Sequence, residues 1–228
     1  MAIVYNDLAC AHLDREELDE AIANDERSLE IFRKLSSHSP VMAQTLGAFG
    51  QILVEKGEYK RAESLIREAL DIRRQTLGEN HPDVANSLAD LGELALLEDD
   101  YAKAEAEEKK ALEIYQRFFP EMNMIGAAGP WQNLGRVRML TGRPAQAEPY
   151  LREALKIQSR LLPKGNWMMA EGESLLGECL TMQKRYAEAE PLLLESYSDL
   201  KARPRREAPP HGGCAEAPGE TLRSLGQT

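Results

Sequence analysis

The side chains that could do chemistry are present, but their spacing keeps them apart. His12, His38, His81 and His211 are the four histidines, and their intervals match none of the patterns by which a helix or loop gathers metal ligands. His81 precedes Pro82 in a loop and reads as structural, and His12 reads as a partly buried packing residue. Cys10, Cys179 and Cys214 lie far apart and form no paired framework, which suits a reducing compartment. Cys179 reads as a small core hydrophobe, and no neighbour in sequence lowers the pKa of Cys10. Carboxylates do acid–base work only in a shared pocket, and Glu105, Glu107 and Glu108 read as solvated helix positions. No Gly-rich phosphate loop, HRD-type loop or DFG occurs. The expectation is a protein that is not an enzyme, with no cofactor and no metal.

Composition narrows the class. Hydrophobic residues make up 43% of 228, charged residues 29% and aromatics only 6%, a balance that favours a helical globular protein. A net charge of −10 argues against a nucleic-acid partner held by a basic face. No apolar run reaches the length of a membrane span, and acids near the N-terminus leave no secretory leader. A cytoplasmic location is the expectation.

The elements that would position any site are set by an internal repeat. Five stretches align without gaps, beginning at Leu8, Phe49, Leu91, Leu134 and Leu176. One column holds Ala9, Gly50, Gly92, Gly135 and Gly177. A second holds Ala21, Ala62, Ala104, Ala147 and Ala189, with Leu18, Tyr59, Tyr101, Pro144 and Tyr186 between. The first column recurs at intervals of 41, 42, 43 and 42 residues. Glycine inside a helix costs about 1 kcal/mol relative to alanine, so four in one column imply a steric need. Each unit reads as a helix, a polar turn, a longer helix and a loop. Pro40, Pro82, Pro120 and Pro163 mark the loops.

These residues resemble the tetratricopeptide family. Trp131 to Gly135, WQNLG, is similar to the first half of its signature, and the period near 42 with LGENHPDVANSL from Leu77 to Leu88 resembles the kinesin-light-chain type. AEPLLLESYSDLKA, Ala189 to Ala202, is similar to the last repeat of arrays attached to bacterial serine/threonine kinases. The resemblance implies an all-α fold, an α-solenoid of about five helix pairs wound into a right-handed superhelix. Its array spans 1–202, in units 1–41, 42–83, 84–126, 127–168 and 169–202. It implies a scaffold that binds a peptide or protein segment in a concave groove. The alternatives are a detached docking segment of a signalling kinase, or a gene remnant.

In this architecture the first helix of each unit lines the groove. With the small column as position eight, the inward positions two, five and nine give Ile3, Asn6 and Cys10; Gln44, Gly47 and Gln51; Asn86, Ala89 and Glu93; Gly129, Gln132 and Arg136; and Glu171, Ser174 and Glu178. Cys10 would then face the groove. Amide side chains can pair with an extended backbone, and Glu93, Glu171 and Glu178 would favour a basic segment, with Arg136 as the exception.

Both ends stand out. Ile3, Val4 and Leu8 would lie on an uncovered edge, as would Leu192, Leu193, Leu194, Tyr197 and Leu200, which opens a route to self-association. Residues 203–228 contain four Pro and four Gly and read as a disordered tail, or as the product of a shifted reading frame.

Overall fold

The computed structural model describes residues 1–13, 15, 17–35, 38–121 and 124–202; the expected tail lies outside them. Ten α-helices and no strand occur among the described residues. They are α1 (Ala2–Leu13), α2 (Leu18–Lys34), α3 (Pro40–Lys56), α4 (Tyr59–Leu77), α5 (Pro82–Leu97), α6 (Tyr101–Phe118), α7 (Ala128–Leu140), α8 (Pro144–Leu161), α9 (Trp167–Met182) and α10 (Tyr186–Ala202). A short 3-10 turn, Ile125–Ala127, leads into α7. Helices alternate as the columns require, one pair per unit.

The helix starts are written locally. Ser39 accepts from the Met42 amide, His81 from Asp83, Asp100 from Lys103 and Asn166 from Met168, and each cap satisfies an amide that the first turn would otherwise leave bare. Pro40 and Pro82 do more than break a loop: they occupy the first turns of α3 and α5, where the missing N–H costs nothing. The turns inside the second to fifth pairs reverse through one left-handed residue at a fixed repeat position: Gly57, Asp99, Gly142 and Lys184, with φ of 82°, 60°, 72° and 63°.

The chain divides into two compact units, one of residues 1–72 and one that begins at Arg73 and runs through the described residues to 202. In the first, α1 packs on α2 and α2 on α3. The Ser28 hydroxyl donates to the Ala2 carbonyl at 2.8 Å, and Arg61–Glu26, Lys56–Asp19 and Arg33–Glu68 tie α2 to α3 and α4. In the second, each helix packs on its successor from α5 through α10, and the first helices α5, α7 and α9 also meet side by side. The buried Arg73 holds the start of α5, donating to the Ser87 hydroxyl at 2.6 Å and the Asp83 carbonyl at 3.2 Å. Arg138–Glu105 and Arg185–Glu148 link neighbouring pairs.

The small columns are the close approaches. Ala21, Ala62, Ala104, Ala147 and Ala189 are all buried. A Cβ on Gly50 would come within 2.6 Å of Ile66, on Gly135 within 2.5 Å of Leu151, and on Gly177 within 2.7 Å of Leu193. The steric need inferred from the glycine column is therefore met inside each pair, between its first and second helix.

Two expectations change. Leu192 and Leu193 are partly buried against the cluster of Leu176, Cys179 and Leu180, so the last helix is not open on every side; Leu194, Tyr197 and Leu200 stand exposed. Glu108, expected on a solvated face, is fully buried, and Glu105 is half-buried in its pair with Arg138.

Candidate functional site

The first helices of the second unit place Asn86, Ala89 and Glu93 on α5, Gln132 and Arg136 on α7, and Glu171, Ser174 and Glu178 on α9. Two of the charged ones, Arg136 and Glu171, act on a third, Glu93. Burial raises the Glu93 pKa first; Asp90 raises it further, Arg136 opposes, and Glu171 adds to it. Glu93 keeps solvent contact while sitting among enough protein to be partly desolvated, as at the wall of a concave face. Charged groups of α5, α7 and α9 thus lie within electrostatic range of Glu93.

The neutral members are more constrained. Asn86 is half-buried; its Oδ1 accepts from the Tyr115 hydroxyl of α6, and its Nδ2 donates to Asp83 at 3.4 Å. Tyr115 is buried, and that burial pushes its pKa up. Gln132 is half-buried, with Nε2 enclosed and unpartnered beside Gly172, near the equally unpartnered Oε1 of the buried Gln158. Glu171 and Glu178 are exposed. Glu171 lines an open hollow of ≈ 420 Å³ with Trp167, Ser174, Leu175 and Leu200.

In the first unit, Gln44 and Gln51 are half-buried on α3, and Gly47 is buried. Asn6 is buried rather than open, and donates to Asp25 Oδ1 at 3.0 Å. Cys10 is half-buried on α1.

The sequence reading passed over Asp25 and placed Glu108 on a solvated face; both are buried acids. Asp25 and Glu108 occupy the column that holds Ile66, Leu151 and Leu193 in the other units. Each accepts from one asparagine, Asp25 from Asn6 and Glu108 from Asn133 at 2.7 Å, and each keeps one oxygen without a partner. Burial pushes the Asp25 carboxyl up to about 7 and the Glu108 carboxyl well above its usual range. An acid in an apolar column was the signal that could have found them.

The tetratricopeptide-repeat family model matches residues 1–75, 41–117 and 127–202. The chain belongs to this family. No curated protein matches the sequence. Among solved structures, the kinesin-light-chain TPR-like repeats of Podosopora anserina are 18% identical with a TM-score of 0.66, over 88% of this chain and 96% of that one. BtubC (BKLC) from P. vanneervenii is 19% identical with a TM-score of 0.69, over 88% and 82%. The apo form of RapI is 15% identical with a TM-score of 0.72, over 88% and 70%. These likenesses support an all-α solenoid of tetratricopeptide pairs, a scaffold fold that generally mediates protein interaction.

Within the tetratricopeptide array His81, His12 and Cys179 have structural partners. His81 caps α5 and meets the Phe118 ring edge-on at 6.0 Å. His12 pairs with Glu17 at 2.6 Å. Cys179 is a buried free thiol whose Sγ lies 3.2 Å from the Pro144 carbonyl, and burial raises its pKa. Among the described residues no group of three or more His, Cys, Asp or Glu is placed to hold a metal, and no helix is long and apolar enough to cross a membrane.

Proposed function

We propose that this chain is a scaffold that holds a peptide or protein segment against the face formed by α5, α7 and α9. The observation that supports the reading is that Arg136 and Glu171 both act on Glu93, the three coming from adjacent first helices that pack side by side. Sequence positions some 40 residues apart converge there on one surface, as a repeat array requires for a long segment to touch several units. The excess of acid favours a basic segment. Gln132 and Glu178 border the same face, and Gln44 and Gln51 offer similar side chains on the first unit.

A non-catalytic role agrees with where two of the perturbed acids lie. Asp25 and Glu108 are sealed beneath helices and bonded to asparagines, out of reach of a substrate, so their shifted pKa values do not mark acid–base catalysts.

The test is site-specific photo-crosslinking in the cell that makes the protein. A photoreactive residue at Gln132 should yield discrete adducts, and one at the exposed Glu113 of α6 should not. Charge reversal at Glu93 and Glu171 together should abolish the Gln132 adducts. Equal yields from Gln132 and Glu113, indifferent to charge reversal, would dispose of the reading.

A further inference from the structure

Two columns of the repeat that are buried elsewhere stand open on α1. Val4 is 54% exposed and Leu8 is 43% exposed. The repeat equivalents of Val4 include Thr45, Ser87 and Gly172, and those of Leu8 include Phe49, Leu134 and Leu176; all are buried. The second helix of the preceding pair does the covering. Arg73 of α4 donates to the Ser87 hydroxyl at 2.6 Å. Leu155 and Gln158 of α8 stand 2.9 and 2.6 Å from where a Cβ on Gly172 would lie. Leu176 packs with Ala147 and Leu151 of α8.

The matching face on α10 is open as well. Tyr197 is 65% exposed, and Leu200 is exposed. Their repeat equivalents in the first pair are Leu29 and Phe32 of α2, both buried, and α2 packs on α3, where Thr45 and Phe49 are buried. α10 thus offers one aromatic ring and one leucine, as α2 does, in reverse order. α1 offers Val4, which has nearly the shape of Thr45, and Leu8 in place of Phe49. Beside Leu200 lies the open hollow of ≈ 420 Å³. At the equivalent place in the fourth pair, Gln158 donates to the Met168 carbonyl of the following helix at 3.0 Å.

The charges match in the same register. Glu105 and Glu148 each accept from the first helix of the following pair, Glu105 from Arg138 at 2.9 Å and Glu148 from the amide of Gln183 at 3.2 Å. Glu190 is their equivalent on α10 and is exposed. The residue of the first pair equivalent to Gln183 is Arg15, also exposed.

We propose that α10 of one copy packs on α1 of a second copy. Tyr197 and Leu200 lie over Val4 and Leu8 of the partner copy, and Glu190 lies beside Arg15 of the partner copy. The contact repeats between chains what α2 does with α3 and α8 with α9, and burial of apolar surface drives it. The two surfaces differ, so the contact is head-to-tail, and each added copy brings a fresh α1 or α10 face. The contact uses neither α5 nor α7, so it stands or falls separately from the groove reading.

The experiment is sedimentation equilibrium of the full chain in reducing buffer, which excludes disulfide cross-links. The average mass should climb from 25.5 kDa at high dilution to more than about twice that value as concentration rises. Val4→Glu with Leu8→Glu blocks the α1 face, and Tyr197→Lys with Leu200→Lys blocks the α10 face. Each variant alone should stay at the monomer mass. Their equimolar mixture should form a complex of two chains that grows no further, because each supplies the face the other lacks. Arg15→Glu should weaken association of the wild type, and Glu190→Arg added to the same chain should restore it. Far-UV circular dichroism checks that the variants keep their helices. Val4→Glu alone, at the more exposed position, replaces the α1 double variant if that variant loses helix.

A wild type that stays monomeric up to millimolar concentration would overturn the proposal. So would a mixture of helical variants that remains at the monomer mass. Association that survives the α1 changes and is lost only with the α10 changes would show α10 packing on itself, which also overturns the head-to-tail contact.

Discussion

The carboxyl group of Glu108 lies against the bare Cα of Gly92, in the same relation that Leu151 bears to Gly135. One geometry thus accepts an acid in one unit and a hydrocarbon in another. The acid version pays in desolvation, since a buried carboxylate with one hydrogen bond recovers little of its hydration. Glu108→Leu should therefore raise the stability of the tetratricopeptide array by about 1–3 kcal/mol at pH 7.5, read as an upward shift in the urea midpoint. A drop of the same size would mean that the Asn133 contact outweighs the desolvation.

Gly135→Ala should be costly in spite of alanine's better helix propensity. The new methyl would meet Leu151 Cδ2 at 2.5 Å and Cγ at 2.7 Å, and Leu151 is buried. Overpacking of this kind costs about 1–3 kcal/mol, against a gain of about 1 kcal/mol from propensity. Thermal denaturation of the purified variant would show the net loss, and a midpoint above wild type would contradict it.

Lys184 holds φ at 63° in the turn where Gly57 and Gly142 serve the same purpose. A left-handed residue with a Cβ costs about 1–2 kcal/mol, so Lys184→Gly should stabilise by about 1 kcal/mol, less what glycine's extra freedom in the unfolded chain takes back. The same change at Asp99 should gain less. Aspartate tolerates this region, and its carboxylate accepts from the Tyr101 hydroxyl at 2.8 Å. Parallel melts of the two variants would expose the difference.

Stability should peak in mildly acidic solution. Asp25 is raised to about 7 in the fold, so the folded state binds its proton more tightly than the unfolded chain. That contribution is complete below the ordinary value of about 3.9 and is lost as pH rises toward 7. Glu105 is lowered to about 2, first by its hydrogen bonds from Arg138 and Lys109. Its contribution is present above the ordinary value of about 4.3 and is lost as pH falls. The two slopes meet at about pH 4–5. Melting temperatures taken from pH 3 to pH 8 would trace the curve, and Asp25→Asn should flatten its alkaline side. A wild-type curve still rising between pH 5 and pH 8 would show that other groups govern.

Arg138 forms two hydrogen bonds to Glu105, at 2.9 and 2.5 Å, with its side chain only 13% exposed. Charge-assisted bonds of this kind contribute about 1.5–3 kcal/mol, so Arg138→Ala should lower the denaturant midpoint by an amount in that range. Arg152→Ala, which removes an exposed pair within a single helix, should cost less than about 0.5 kcal/mol.

What the sequence by itself determined was periodic. Glycine and alanine at intervals near 42 residues pointed to about five pairs of helices, because only small side chains permit such close backbones. What the tertiary structure decided was which polar side chains are spent. Asn6 is used by Asp25, nineteen positions away, and Asn86 by Tyr115, twenty-nine away, so neither has the free amide that its groove position suggested. Glu108 disappears beneath α5 and α7, while Glu93, Arg136 and Glu171 gather from three helices into one field. A repeat column states the face on which a side chain sits. Its desolvation and its partners depend on groups one or two helices away, and their distances exist only once the helices have packed.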